Sequence, residues 1–154
     1  MQNRKHPIPL PLEHTMDASQ NAAGASPVLK LTPYLSVADA AAALEFYKAA
    51  FGAMEVTRWI DPANGKIGHA EITLAGRSIM LADDYPEMAA LGLKTPQTLG
   101  ATTMQFWIET DNVDQVATRA IAAGARALPS GRQGEKRRRL LDPCGHMWTV
   151  SAPE

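Results

Sequence analysis

Hydrophobic and polar positions alternate over several short stretches of this chain, and such alternation predicts β-strands. The first stretch covers residues 29–37. One face of it carries Leu31, Leu35 and Val37, and Pro33 indicates a strand at a sheet edge. Seven further strands are predicted from the same pattern and from the turn residues between them, at 54–60, 67–74, 78–82, 102–110, 126–128, 136–141 and 147–152.

Apolar residues at helical spacing follow the first strand of each group. Asp39 can cap a helix that stops at Gly52, and Asn112 can cap a second helix that closes at Gly124. Asp39 precedes Gly52 by the same interval as Asp111 precedes Gly124, so the chain contains an internal repeat.

The repeat predicts two tandem βαβββ modules, about 29–84 and 101–152, joined by an acidic and irregular connection. This pattern implies an α+β fold of curved, mostly antiparallel sheets with the helices on one face. Residues 28–154 are predicted to form a single domain. Residues 1–27 hold four prolines and little apolar periodicity, so we expect a disordered tail, and Met16 is an alternative start to Met1.

The composition is that of an ordinary globular domain. Fifteen basic and sixteen acidic residues leave a net charge of −1, which gives no reason to expect nucleic acid or a membrane as partner. Cys144 is the only cysteine, so no internal disulfide can form, and a cytoplasmic location is expected. We expect a small-molecule ligand and a homodimer as the partners of this chain.

Four stretches resemble the vicinal oxygen chelate superfamily, the group of glyoxalases, bleomycin resistance proteins and dioxygenases, and more narrowly its PhnB-like branch. They are 31–37 (LTPYLSV), 44–53 (LEFYKAAFGA), 69–71 (HAE) and 141–149 (LDPCGHMWT). The resemblance covers about 29–152 and implies two curved sheets whose concave faces meet around one cleft. In the family's enzymes, His, Glu or Gln side chains hold a divalent metal there.

The resemblance implies four metal-ligand positions in this chain: Thr32, Met80, Gln105 and Thr149. Among these side chains only Gln105 is a reasonable ligand, since catalytic metals are held by several imidazoles or carboxylates. We therefore expect no cofactor at the standard site. The alternative is one divalent metal ion at a non-standard site formed by His69, Glu71 and Gln105.

Alternation also sorts the strand residues without reference to the family. One set is predicted to face the helices: Ala70, Ile72, Leu74, Ile79, Leu81, Met104, Phe106, Ile108, Trp148 and Val150. The other set is predicted to face the cleft: Thr32, Tyr34, His69, Glu71, Thr73, Ser78, Met80, Gln105, Trp107, Met147 and Thr149. Trp107, and less strongly Tyr34, can stack on a planar ligand, although core packing would also explain Trp107.

His69 and Glu71 lie two apart on one strand and therefore point the same way. They can contact a ligand, act as catalytic base and orienter, or be purely structural. In the run Lys136 to Arg139, alternation sends Arg137 and Arg139 to one face, where Arg137 could bind an anionic group; a solvated edge strand is the alternative.

Two residues of the last turn are predicted to have no part in a site. His146 is expected to be a turn and packing residue, and Cys144 has no assigned base that would make it a nucleophile.

Three functions remain open from the sequence. The first is a metal-free protein that binds a small aromatic or amide-rich molecule, as drug-sequestering members of the superfamily do. The second is an enzyme of lyase, isomerase or dioxygenase type, using an unusual metal site or acid/base chemistry through His69 and Glu71. The third is a regulatory module whose cleft is filled by side chains or a partner.

Overall fold

The computed structural model describes residues 26–129 and 136–153. The chain divides into two units, 1–31 and 32–154. Within the first unit, residues 26–31 form no helix or strand, and the side chains of Val28, Leu29 and Leu31 are exposed. The remainder of the predicted tail, residues 1–25, lies outside the described residues.

Module one contains β1 (Tyr34–Val37), α1 (Ala40–Phe51), β2 (Met54–Ile60), β3 (Ile67–Leu74) and β4 (Arg77–Asp83). The connection that follows contains two short helices, α2 (Pro86–Ala90) and α3 (Pro96–Leu99). Module two contains β5 (Gln105–Glu109), α4 (Val113–Ala122), β6 (Arg126–Ala127), β7 (Arg137–Leu141) and β8 (Met147–Ser151). Within the described ranges, no helix is long and apolar enough to cross a membrane.

Each module forms one four-stranded sheet with the same topology. The strand order is β1-β4-β3-β2 in module one and β5-β8-β7-β6 in module two. The first strand of each module pairs in parallel with the last, and the other pairs are antiparallel. The predicted α+β fold of two repeated, mostly antiparallel modules is confirmed.

The helix boundaries agree with the capping residues read from the sequence. The carboxylate of Asp39 accepts a hydrogen bond from the backbone N–H of Ala42 at 2.8 Å, and Gly52 ends α1 with a φ of +71°. Asn112 accepts from the N–H of Gln115 at 3.0 Å at the start of α4. Because capping is local in sequence, these ends could be predicted without tertiary information.

Three details of the sequence prediction are wrong. The strand expected over 29–37 begins only at Tyr34, and Leu31, expected on the buried face, is 91% exposed. Met104 lies before β5 and is 41% exposed rather than packed against a helix. The connection between modules is not wholly irregular. Alternation indicates which residues of a strand share a face, but it does not indicate where pairing with the neighbouring strand stops.

The two modules contact each other through their helices. Arg119 on α4 donates from Nε to the carbonyl oxygen of Ala50 on α1 at 2.7 Å. The ring centroids of Phe51 on α1 and Trp148 on β8 are 4.6 Å apart, and Trp148 is 1% exposed. The helix-covered faces of the sheets are therefore turned toward each other. We call the opposite face of each sheet, which is not covered by α1 or α4, its open face.

This arrangement decides where the predicted cleft residues lie. The residues expected to face the helices are buried or packed against the core, apart from Met104. The residues expected to face the cleft lie on the open face of their own module, apart from Thr32, which precedes β1. In neither of the two grooves described below do the described lining residues come from both modules.

Candidate functional site

The open face of module one contains a groove of about 540 Å³. Its described lining residues come from β1, β2, β3 and β4, from the turn that follows β2 and from the segment that follows β4. They include the aromatic residues Tyr34, Trp59 and Tyr85, the acidic residues Asp61, Asp83 and Glu87, and the apolar residues Met88 and Leu93. The groove is thus aromatic and apolar along its walls and acidic at its margins.

A β-bulge shapes the floor of this groove. Trp59 pairs with His69 and Ile60 pairs with Ile67, so Gly68 is an extra residue in β3. A Cβ atom on Gly68 would overlap the six-membered ring of Trp59. The indole can therefore lie against the backbone of β3 at this position only because residue 68 is a glycine.

Tyr34 and His69 form a polar pair beside the groove. The Tyr34 hydroxyl lies 3.0 Å from Nδ1 of His69, and the ring centroids are 5.7 Å apart. Partial burial raises the pKa of Tyr34 above its ordinary value. Glu71 lies on the same strand as His69 and pairs across the sheet with Met80, so these predicted site residues share the open face of module one.

Two of the carboxylates at the margin of the groove also accept hydrogen bonds from neighbouring parts of the chain. Asp83 accepts hydrogen bonds from the backbone N–H groups of Ala40 and Ile67, both at 2.7 Å, and so ties the start of α1 to β3. Asp61 accepts from the Tyr85 hydroxyl at 3.3 Å. Partial burial, followed by the charge of Asp61, raises the pKa of Tyr85.

The open face of module two contains a separate groove of about 480 Å³. Trp107 forms one wall and is 50% exposed; its Nε1–H donates to Oγ of Ser151 at 2.8 Å. The guanidinium carbon of Arg137 lies 5.7 Å from the centroid of the Trp107 ring, within the range of a cation–π contact. Lys136 and Glu109 also line this groove.

The register of β7 settles the direction of the basic run. Arg138 forms an ion pair of 2.8 Å with Asp114 on α4, so it faces the helix. Arg137 pairs with Ser151 and Arg139 pairs with Thr149 across the sheet, which places both on the open face. The predicted alternation is therefore seen for Arg137, Arg138 and Arg139, and Arg137 shares the open face with Trp107. Lys136 was predicted to face the same way as Arg138, but it precedes β7 and lines the groove with Arg137.

The four metal-ligand positions do not fit a divalent metal. They are divided between the modules: Met80 lies on β4 and Thr32 precedes β1 in module one, whereas Gln105 and Thr149 lie on β5 and β8 in module two. The one good oxygen ligand, the side-chain carbonyl of Gln105, accepts from the Thr149 hydroxyl at 3.5 Å. Two hydroxyls, a thioether and an amide are a poor donor set for a catalytic metal.

The residues of the alternative metal site belong to different modules. His69 and Glu71 lie on the open face of module one, and Gln105 lies on β5 of module two. Among residues 26–129 and 136–153, no three His, Cys, Asp or Glu side chains are grouped so that they could hold an ion.

The closing turn of module two is buried rather than part of either groove. Asp142 accepts hydrogen bonds at 2.8 to 2.9 Å from the N–H groups of Cys144 and His146 and from the side chains of Tyr47 and Trp148. Burial lowers the pKa of His146, an effect that the charge of Asp142 opposes. Burial, followed by the charge of Asp142, raises the pKa of Cys144 to about 12, so its thiol is inert.

Sequence reasoning did not find the groove around Trp59 and Tyr85. One signal was available, because a glycine inside a strand, such as Gly68, often marks close approach of another group. Tyr85 gave no such signal, since it follows β4 and reaches the groove only through the path of the chain after that strand.

Two α+β modules of repeated topology with open, concave faces define a class of fold that solved structures share. The Arabidopsis thaliana gene product At5g48480 matches with a TM-score of 0.63 and 21% identity, over 82% of this chain and 99% of that one. A glyoxalase-related enzyme from Fulvimarina pelagi matches with a TM-score of 0.62 and 20% identity, over 82% and 89%.

A mutant of the fosfomycin resistance protein FosX from Listeria monocytogenes, solved with Mn(II) and 1S,2S-dihydroxypropylphosphonic acid, also matches. Its TM-score is 0.63 at 18% identity, over 82% of this chain and 94% of that one. At these identities the likeness shows the fold.

Sequence comparison defines the family. The model of the glyoxalase/bleomycin resistance protein/dioxygenase superfamily matches residues 26–150. The uncharacterized protein Mb0911c of Mycobacterium bovis is 38% identical over 126 residues, which are 80% of this chain and 82% of that protein. The chain belongs to the glyoxalase/bleomycin resistance protein/dioxygenase superfamily. Membership in its PhnB-like branch stays a prediction.

Proposed function

We propose that this protein is a cytoplasmic, metal-free binding protein that holds a small aromatic or amide-rich molecule, in the manner of drug sequestration. The observation that carries the proposal is the exposed aromatic surface of module two. Trp107 is 50% exposed, its indole N–H is held by Ser151, and Arg137 lies over its ring. A planar molecule can stack on such a fixed ring and offer an acceptor to the guanidinium.

The proposal includes a homodimer. In neither of the two grooves do the described lining residues come from both modules, whereas a small-molecule site normally buries most of its ligand. A second copy related by twofold symmetry can cover such a groove, and the same contact then forms twice.

Tryptophan fluorescence tests ligand binding. Bleomycin and a panel of neutral aromatic amides are titrated into the wild type and into Trp107→Ala. We expect saturable quenching in the wild type and an affinity roughly two- to tenfold lower in the variant, because a stacked aromatic contact of this kind contributes about 0.5 to 1.5 kcal/mol. No saturable response from any compound would favour the regulatory-module hypothesis instead.

The oligomeric state and the metal are tested separately. Sedimentation velocity is expected to give twice the mass of one chain. Elemental analysis of protein purified without a metal-affinity tag, followed by thermal shift with Zn, Ni, Mn and Fe, is expected to give no stoichiometric ion and no large stabilisation. A tightly bound ion would overturn the metal-free part of the proposal.

A second candidate function is acid/base catalysis on module one. The 3.0 Å contact between the Tyr34 hydroxyl and Nδ1 of His69 supports it, because a hydrogen-bonded partner fixes the orientation of an imidazole. Glu71 shares that open face. Turnover of a hemithioacetal or a catechol that is lost in His69→Gln and Glu71→Gln, with unchanged folding, would establish this function over simple binding.

A further inference from the structure

We propose that the groove of module one binds an organic cation, namely a planar aromatic ring that carries a positively charged nitrogen. The inference rests on the proposed function, because it names the class of ligand that one half of the binding surface selects. It concerns residues that the binding proposal for Trp107 does not use.

The walls of the groove offer π-faces at an accessible position. Trp59 is 54% exposed and Tyr34 is 44% exposed, although both line the groove. The indole of Trp59 lies against β3 where Gly68 leaves room for it. A ring fixed in this way can accept a planar ligand without losing much conformational freedom, and indole is the strongest cation–π partner among the side chains.

The charge at the groove selects the sign of the ligand. Asp61, Asp83 and Glu87 all line it, and the described lining residues include no lysine or arginine. The ammonium group of Lys66 lies 5.3 Å from the centroid of the Tyr85 ring and donates to the carbonyl oxygen of Asp84. Three carboxylates and no basic side chain among the described lining residues favour a cation and disfavour an anion.

The groove of module two has the opposite character. Among its described lining residues, Lys136 and Arg137 are basic and Glu109 is acidic. A preference for cations should therefore depend on Trp59 and the carboxylates of module one, and it should not depend on Trp107.

The matched pair of probes is 1-methylquinolinium chloride and quinoline, which have the same ring system but differ in charge near pH 7.5. Isothermal titration calorimetry on the full-length protein compares the wild type with Trp59→Ala, Gly68→Ala and Glu87→Gln, and Trp107→Ala serves as control. Gly68→Ala keeps every groove side chain but displaces the Trp59 ring, and circular dichroism confirms that each variant is folded.

We expect the cation to bind about tenfold more tightly than quinoline, which is the scale of a cation–π contact reinforced by nearby carboxylates. Trp59→Ala and Gly68→Ala should abolish cation binding, Glu87→Gln should reduce the preference, and added salt should weaken it. Trp107→Ala should leave the affinity for the cation unchanged.

The inference is overturned if the wild type binds both probes equally or binds neither, or if cation binding is lost in Trp107→Ala but kept in Trp59→Ala. In each of these cases a bleomycin or amide response that depends on Trp107 would still support the proposed function. Cation binding at Trp59 without any response that depends on Trp107 would instead support this inference and contradict the role proposed for module two.

Discussion

The hairpins that close the two modules occupy equivalent places in one topology but are built differently. In module one, β3 and β4 are joined by Ala75 and Gly76, which have φ values of +49° and +72°. In module two, β7 and β8 are joined by a longer turn in which the carboxylate of Asp142 accepts several hydrogen bonds. The first turn is purely local, and the second also binds the rest of the domain.

The difference follows from what lies next to each turn. Asp142 is completely buried, and it accepts a hydrogen bond at 2.9 Å from the hydroxyl of Tyr47, which belongs to α1 of module one. It also accepts from the indole of Trp148 at 2.9 Å. A repeated topology can therefore acquire a contact between modules at one of its copies while the other copy keeps a solvent-exposed turn.

The largest effect that tests this comparison is expected at Asp142. Asp142→Ala leaves several buried donors without an acceptor, so the free energy of unfolding should fall by about 3 to 5 kcal/mol. Asp83→Ala in module one removes an acceptor for two N–H groups at a partly buried position and should cost about 1 to 2 kcal/mol. Urea unfolding followed by circular dichroism measures both, and equal losses would contradict the special role of Asp142.

Replacing the glycine of each turn by alanine should lower the stability of the protein by different amounts. Gly76→Ala meets no neighbouring atom within 4 Å, so only the positive φ opposes it, and a loss of about 1 kcal/mol is expected. Gly145 has a φ of +86°, and an added Cβ would lie 2.8 Å from Cβ of Pro96 on α3. Gly145→Ala should therefore cost about 2 to 3 kcal/mol. Thermal unfolding measures the loss of stability in each variant. A loss in Gly145→Ala that is smaller than expected would show that α3 moves aside easily.

The closing turn of module two should also make stability depend on pH. Burial lowers the pKa of His146 below its ordinary 6.5, so the unfolded chain takes up a proton that the folded chain resists. Stability is then complete above about pH 6.5 and falls as the pH drops below it, by at most about 1.4 kcal/mol per pH unit. His146→Gln should flatten this slope; an unchanged slope in that variant would assign it to other groups.

The smallest effect is expected at the turn of module one. Ala75 has a φ of +49°, a region that asparagine tolerates better than alanine. Ala75→Asn should raise the free energy of unfolding by about 0.5 kcal/mol. Differential scanning calorimetry can resolve this change, and a loss of stability would mean that the alanine methyl group has a packing role.

The sequence was sufficient for those features whose causes lie within a few residues. Asp39, Gly52 and Asn112 set helix ends through their own hydrogen bonds and φ values, and the matching intervals revealed the repeat. Alternation also predicted that Arg137 and Arg139 would share a face opposite Arg138, which the pairing of β7 with β8 and the ion pair of Arg138 with Asp114 show. In any strand, successive side chains point to opposite faces of the sheet. Their direction can therefore be predicted without tertiary information.

Contacts between distant residues could be decided only by the tertiary structure. Tyr47 and Asp142 are 95 residues apart, and no local pattern indicates that they meet. The same holds for the direction of the open faces, which depends on α1 packing against α4, and for Tyr85, which reaches the groove of Trp59 from beyond β4. Local sequence determines which elements form and which side chains share a face, whereas packing between elements decides which faces meet, because it depends on side-chain shapes brought together from the whole chain.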